Sequence, residues 1–283
     1  MVQALLGVLV VCGLMLIAAW RVSARRSGHA TTLPGVLHSL IGFVVNFFDT
    51  LGIGSFATTT MAFRFMRLVP DELIPGTMLV GLALPVIAQA LIFITVVDVN
   101  PGQMAILIAS CIAGGWIGAG VVASISRRAI QLAMGIALTA AAALMLISML
   151  GLIPAGGTAT TFSPSAFALA IGVNVVLGAL LTIGIGNYAP SLIVFSLLGM
   201  DPRAAFPIMM GSGAFVATIA GARFIARARF DSRAALGLTL GGIPGVLIAA
   251  WLVQSLPLDA LRWVVLVVVI YSAGSLLRAS RTS

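Results

Sequence analysis

The amino-acid sequence predicts an all-α polytopic membrane protein, built as an inverted repeat around two re-entrant or broken helical hairpins. Composition is the first observation behind this. Of 283 residues, 61% are hydrophobic and only 8% charged, against about 25% charged in an average soluble domain. Apolar segments of about 20 residues recur from end to end, each long enough to cross a hydrocarbon core of roughly 30 Å. The second observation is that all fifteen basic residues are arginine and sit at the borders of those segments. The third is a glycine-rich break that occurs twice, 132 positions apart: Thr50-Leu51-Gly52-Ile53-Gly54-Ser55-Phe56 and Thr182-Ile183-Gly184-Ile185-Gly186-Asn187-Tyr188. Pro70 and Pro202, Pro75 and Pro207, and Gly81 and Gly213 repeat the same offset.

The elements follow in order. Val2 to Trp20 has no basic n-region and is followed by Arg21, Arg25 and Arg26, so residues 1–33 read as a retained extra span with its N-terminus outside and a cytoplasmic linker. The first repeat, residues 34–150, opens with an apolar stretch from Pro34 to Phe65 that is cut at Gly52 to Ser55 and ends in Arg64 and Arg67. A single crossing would put those arginines outside, whereas a hairpin returns them to the cytoplasm. Spans at about Leu73 to Val97, Gly102 to Ala123 and Ala129 to Leu150 complete the repeat. The second repeat, residues 151–283, begins with an uncharged external loop. It continues with a hairpin from Ser165 to Leu198, cut at Gly184 to Asn187, and with spans at about Ala205 to Ala222, Ala234 to Val253 and Leu258 to Leu277. Thirteen arginines then face the cytoplasm and only Arg203 and Arg262 lie near the outside, the asymmetry expected of cytoplasmic loops. A hairpin plus three crossings per repeat makes the second copy upside down relative to the first, with the C-terminus cytoplasmic.

Other classes find no support. The formal charge of +8 sits at span borders and does not form an aromatic-interleaved surface, which excludes nucleic acid as a partner. Cys12 and Cys111 lie in apolar runs without neighbouring His or Asp, so neither a disulfide framework nor a metal site is expected. No P-loop, strand-linked G-x-G-x-x-G or catalytic constellation is present; no cofactor is implied and the chain does not read as an enzyme. Gly114, Gly115, Gly118 and Gly120, with Gly241, Gly242 and Gly245, read as helix-contact positions.

Candidate binding residues come from the breaks. A glycine break ends one half-helix and starts another, whose first N–H groups carry partial positive charge and lack partners. Irregular backbone at bilayer depth survives only beside a cavity or buried protein, and paired interruptions in two repeats point to a transport site. The candidates for holding a small anion are Thr50, Gly52, Gly54 and Ser55 in the first break and Thr182, Gly184, Gly186, Asn187 and Tyr188 in the second. Ser55 and Asn187 add side-chain donors without fixed charge. Asn46, Thr77 and Ser212 stand as further polar positions behind them. Pro75 and Pro207 are candidate hinges. Arg64 and Arg67, three apart, read as interfacial anchors or as a cytoplasmic vestibule. Asp49 has Leu181 as its counterpart, so the repeat does not explain it. An intramembrane acid is a functional hypothesis: Asp49 either takes up a proton during the cycle or holds a threonine, asparagine or arginine in place.

Asn46-Phe47-Phe48-Asp49-Thr50-Leu51-Gly52-Ile53-Gly54-Ser55-Phe56, followed by Ile74-Pro75-Gly76-Thr77, resembles the first-half signature of the sulfite exporter TauE/SafE family. The resemblance runs from about Gly35 onward, with Ser55 and Asn187 where many members extend the glycine run. It implies an inverted-repeat transporter that exports sulfite or an organosulfonate such as sulfoacetate across the bacterial inner membrane. The residues themselves reach only a small anion. An anion channel and a cation-coupled anion importer remain as alternatives. The expected partners are a small anionic substrate and the lipid bilayer, with homo-oligomerisation left open.

Overall fold

The computed structural model describes residues 1–26, 33–52, 54–121, 126–150, 157–181, 187–255 and 257–282. Its twelve helices, among the described residues, are α1 (Val2–Arg26), α2 (Val36–Thr50), α3 (Ser55–Phe65), α4 (Ile74–Gly81), α5 (Ala83–Val96), α6 (Pro101–Val121), α7 (Arg127–Met149), α8 (Pro164–Leu181), α9 (Tyr188–Leu197), α10 (Pro202–Ala226), α11 (Ser232–Ser255) and α12 (Leu258–Thr282). Five helical stretches are long and apolar enough to cross a membrane: Val2–Ala24, Ile74–Val96, Pro164–Leu181, Pro202–Ala226 and Ser232–Ser255. The chain is a multi-pass, all-α membrane protein. The Ile74–Val96 stretch combines α4 and α5. Its backbone bonding continues across the joint, with Leu82 N–H donating to Met78 O at 2.9 Å and Val86 N–H to Leu82 O at 3.0 Å.

The short helices behave differently from the long ones. With 15, 11 and 10 residues, α2, α3 and α9 extend about 22, 17 and 15 Å at 1.5 Å per residue, too short to cross alone. Each return helix folds back along its partner. The ring of Phe63, near the end of α3, meets His38, near the start of α2, with centroids 6.4 Å apart. Phe195, near the end of α9, meets Phe162, just before α8, at 5.5 Å. Phe63 and Phe195 are themselves 132 positions apart and both are fully buried.

Both return helices also stop in the same way. Leu68 N–H donates to Phe63 O and Met200 N–H to Phe195 O, each at 3.0 Å, the six-to-one bond of a Schellman end. The residue that makes this turn has positive φ, 52° at Arg67 and 93° at Gly199. Arg67 therefore lies beyond the α3 C-cap, Met66, and does not share a helical face with Arg64 as the three-residue spacing suggested. Arg64 instead pairs with Asp71 at 3.3 Å, both well exposed. Pro75 likewise does not kink a helix. It stands in the first turn of α4, where a missing N–H costs nothing, while Pro207 is interior to α10.

The chain forms two compact units. One contains Met1–Thr50, Gly54–Val96 and Met210–Leu252, and the other Leu51–Ile53, Val97–Met209 and Val253–Ser283. Each therefore draws on both halves of the sequence. In the first unit α2 packs on α11 through glycines. A Cβ on Gly42 would lie 2.7 Å from the Leu238 backbone, and ones on Gly241 and Gly245 would strike the carbonyls of Ser39 and Phe43. The core of this unit joins Ile41, Val45, Phe63, Ile74, Met78, Leu82, Ala234 and Leu238. In the second unit α8 packs on α6 by the same device, Gly178 against the Cys111 carbonyl and Gly114 against that of Val175. The glycine-contact expectation holds at Gly114, Gly241, Gly242 and Gly245. Trp20 ties α1 to α11 by donating to Ser232 Oγ at 3.0 Å.

Candidate functional site

The first break is a glycine turn stabilised by a carboxylate. Gly52 and Gly54 have φ of 102° and 83°, values that cost an L-residue roughly 1–2 kcal/mol and cost glycine little. The turn delivers Ser55 to the start of α3, where its N–H donates to Asp49 Oδ1 at 2.6 Å. Gln89, from α5, donates through Nε2 to Asp49 Oδ2 at 3.0 Å and to Thr50 Oγ1 at 2.9 Å. Thr50 in turn donates to Asn46 O at 2.7 Å, and Asn46 Nδ2 donates to Gly42 O at 2.8 Å. All of these side chains are buried, Asp49 at 3% exposure and Gln89 and Thr50 at 0%.

This network gives the start of α3 a capping carboxyl group from its own chain. A carboxylate at a helix N-terminus satisfies the open N–H groups and offsets the positive end of the dipole. Both Asp49 oxygens accept hydrogen bonds from nitrogen donors, so the group is held as an acceptor. Its partners are Ser55 N–H and Gln89, not the threonine, asparagine or arginine expected from the sequence. Asn46, one turn earlier, turns to its own helix instead.

The second break lacks that carboxylate. Thr182, Gly184 and Gly186 lie outside the described residues. Asn187 is the N-cap of α9 but makes no side-chain cap bond. It is 1% exposed and its Nδ2 has no partner, while its carbonyl accepts from Ser191 N–H at 2.9 Å. Tyr188, the first residue of α9, is buried beside it. Leu51–Ile53 belongs to the same compact unit as α9 and α12. A Cβ on Gly52 would lie 2.7 Å from Leu192 Cδ1 and 3.7 Å from Val268 Cγ1, so the glycine turn lies against the first turns of α9.

The remaining candidates are distributed. Thr77 donates to Leu73 O and accepts from Asp231 N–H, both at 2.8 Å, which fastens α4 to the turn before α11. Ser212, on α10, is fully buried and its Oγ has no partner. Among the described residues no group of three His, Cys, Asp or Glu side chains comes together, and Cys12 and Cys111 are free thiols.

Four fully buried polar residues were missed from the sequence: Gln89, Thr59, Ser191 and Asn174, each at 0% exposure, the last donating through Nδ2 to Leu107 O at 2.6 Å. A lone amide inside the apolar run from Leu82 to Val97 was the available signal for Gln89. Thr59 and Ser191 lie four residues after Ser55 and Asn187 and keep the 132 offset.

No curated protein and no solved structure matches the chain. The family described as Sulfite exporter TauE/SafE matches it over residues 39–276, a span that contains both breaks, both return helices and every candidate residue named above. That family comprises membrane transporters of sulfite or related anions. With most of its length matched, the chain belongs to the sulfite exporter TauE/SafE family.

Proposed function

We propose that the chain is a secondary transporter that moves sulfite or an organosulfonate outward across the bacterial inner membrane, and that α9 supplies the contact to the anion. The observation that carries this is Asn187. An amide nitrogen buried without an acceptor costs stability, and this one stands at the positive end of a helix whose capping position lacks a carboxylate. A sulfur oxyanion supplies the missing acceptor and negative charge together. At the α3 start that charge is already provided by Asp49, and the counterpart of Asp49 in the second repeat is Leu181. This asymmetry favours α9 as the substrate end and favours a holding role for Asp49 over a proton-carrying one.

The two hairpins are read as re-entrant elements of inverted repeats, the first repeat within residues 34–150 and the second within 151–283, with residues 1–33 forming an additional span. The N-terminus is then outside and the C-terminus cytoplasmic. No nucleotide is required. An inside-negative potential favours exit of a monoanion by about 2.3 kcal/mol per 100 mV, a gradient of roughly 50-fold, and of a dianion by twice that energy.

Reconstituted protein with Asn187→Leu tests this reading. Sulfite and sulfoacetate efflux from proteoliposomes is expected to be lost while the protein stays folded. Efflux at the wild-type rate would remove Asn187, and with it the α9 site.

A further inference from the structure

Hydroxyls inside these helices as a rule donate to a carbonyl of the preceding turn, the ordinary fate of Ser and Thr in a helix. Thr50 donates to Asn46 O at 2.7 Å, Thr58 to Ser55 O at 2.9 Å, Thr60 to Phe56 O at 2.8 Å, and Thr218 to Ala214 O at 2.7 Å. Thr59, between two residues that obey the rule, does not. Neither does Ser191. Both are 0% exposed and neither Oγ has a partner.

Their positions are related. Thr59 follows Ser55, the first residue of α3, by four, and Ser191 follows Asn187, the N-cap of α9, by four, so each hydroxyl stands one turn along from the start of its helix. The hydroxyls of Ser196, Ser212 and Ser272 also lack a partner, but their counterparts by the 132 offset are Arg64, Val80 and Ala140, so they fall outside the pattern. A hydroxyl buried unpaired is less stable than an apolar group of the same shape. Such a group on α9, one turn along from the unpartnered amide of Asn187, is accounted for by an acceptor that arrives from outside the protein.

We infer that Ser191 is a substrate-contacting residue of α9, donating its O–H to a sulfur-bound oxygen of the transported anion. The inference rests on the α9 reading above and extends it. On α9, Asn187 and Ser191 present two neutral donors on one helix face, suited to an anion with several oxygens around one sulfur. Neutral donors hold such a group without the fixed positive charge that would slow its release.

The test measures sulfite and sulfoacetate binding to detergent-purified full-length protein by calorimetry, with the melting midpoint of the unliganded protein beside it. Ser191→Ala is expected to weaken binding about tenfold while leaving the unliganded midpoint unchanged or higher. Ser191→Thr is expected to keep wild-type binding. Binding within twofold of wild type in Ser191→Ala overturns the assignment. So does weaker binding accompanied by an equivalent fall in the unliganded midpoint, which is the mark of a packing role. The Asn187→Leu protein separates the two levels. If it binds normally, the α9 site itself fails; if it loses binding while Ser191→Ala does not, only the hydroxyl assignment fails.

Discussion

Alanine at position 52 probes the geometry of the first break most directly. Gly52 has φ of 102°, and holding an L-residue there costs roughly 1–2 kcal/mol. The new methyl group would lie 2.7 Å from Leu192 Cδ1, so Leu192 must leave its rotamer at a further cost of about 0.5–1.5 kcal/mol. The sum is about 1.5–3.5 kcal/mol, or a fall in melting temperature on the order of 3–14 °C for a protein of this size. Thermal unfolding of detergent-purified protein reads it. Gly54→Ala is the comparison without a steric part, because nothing lies near its missing Cβ; at φ 83° and ψ 125°, outside the left-handed helical basin, a backbone cost of about 1–3 kcal/mol is expected. The steric part is isolated by combining Gly52→Ala with Leu192→Val, which removes the crowding carbon; a favourable coupling of about 0.5–1.5 kcal/mol is expected. If Gly52→Ala melts with wild type, the turn is not strained as described. If the two substitutions are simply additive, Leu192 does not press on Gly52.

Gln89→Leu removes a donor from a buried carboxylate and one from Thr50, and should destabilise by about 2–4 kcal/mol. Denaturation with and without Asp49→Asn measures the coupling, and independent effects would dissolve the network. Arg67→Gly relieves a positive φ at an exposed turn and should stabilise by about 1 kcal/mol; a lower melting temperature would contradict the Schellman geometry. Gly178→Ala drives a methyl group into the Cys111 carbonyl and should cost about 1–3 kcal/mol or more. Because the obstacle is backbone, Cys111→Ala should not rescue it, and a rescue would mean that α6 and α8 are packed differently.

The first break was legible because glycine is the residue that makes such backbone cheap, as at Gly52 and Gly54; its repeat at Gly184 lies outside the described residues. Long apolar runs fixed most helix positions for a similar reason, since length and hydropathy are local properties. Gln89 was not legible as the partner of Asp49. The bond joins residues 40 apart, and nothing local distinguishes an amide facing an acid from one facing a packed glycine. Arg67 misled because its spacing from Arg64 is helical while the helix ends between them, at a Schellman turn that usually announces itself by glycine. Thr59 and Ser191 were within reach, since the same offset applied to polar positions as well as to Gly and Pro would have exposed them. The composition of the compact units was out of reach, because the choice of α11 for α2 and of α6 for α8 is made by the fit of small residues against backbone.

The pairing of α2 with α11 sets a timetable for biogenesis. The face of α2 that carries Ser39, Gly42 and Phe43 is covered by residues near Gly241, which leave the ribosome about 200 positions later. At about 5–20 residues per second, that face waits on the order of 10–40 s for its neighbour, and a nascent chain stalled before residue 232 leaves it without a lid. An insertion chaperone that shields small-residue helix faces has its longest task at this stretch of the protein.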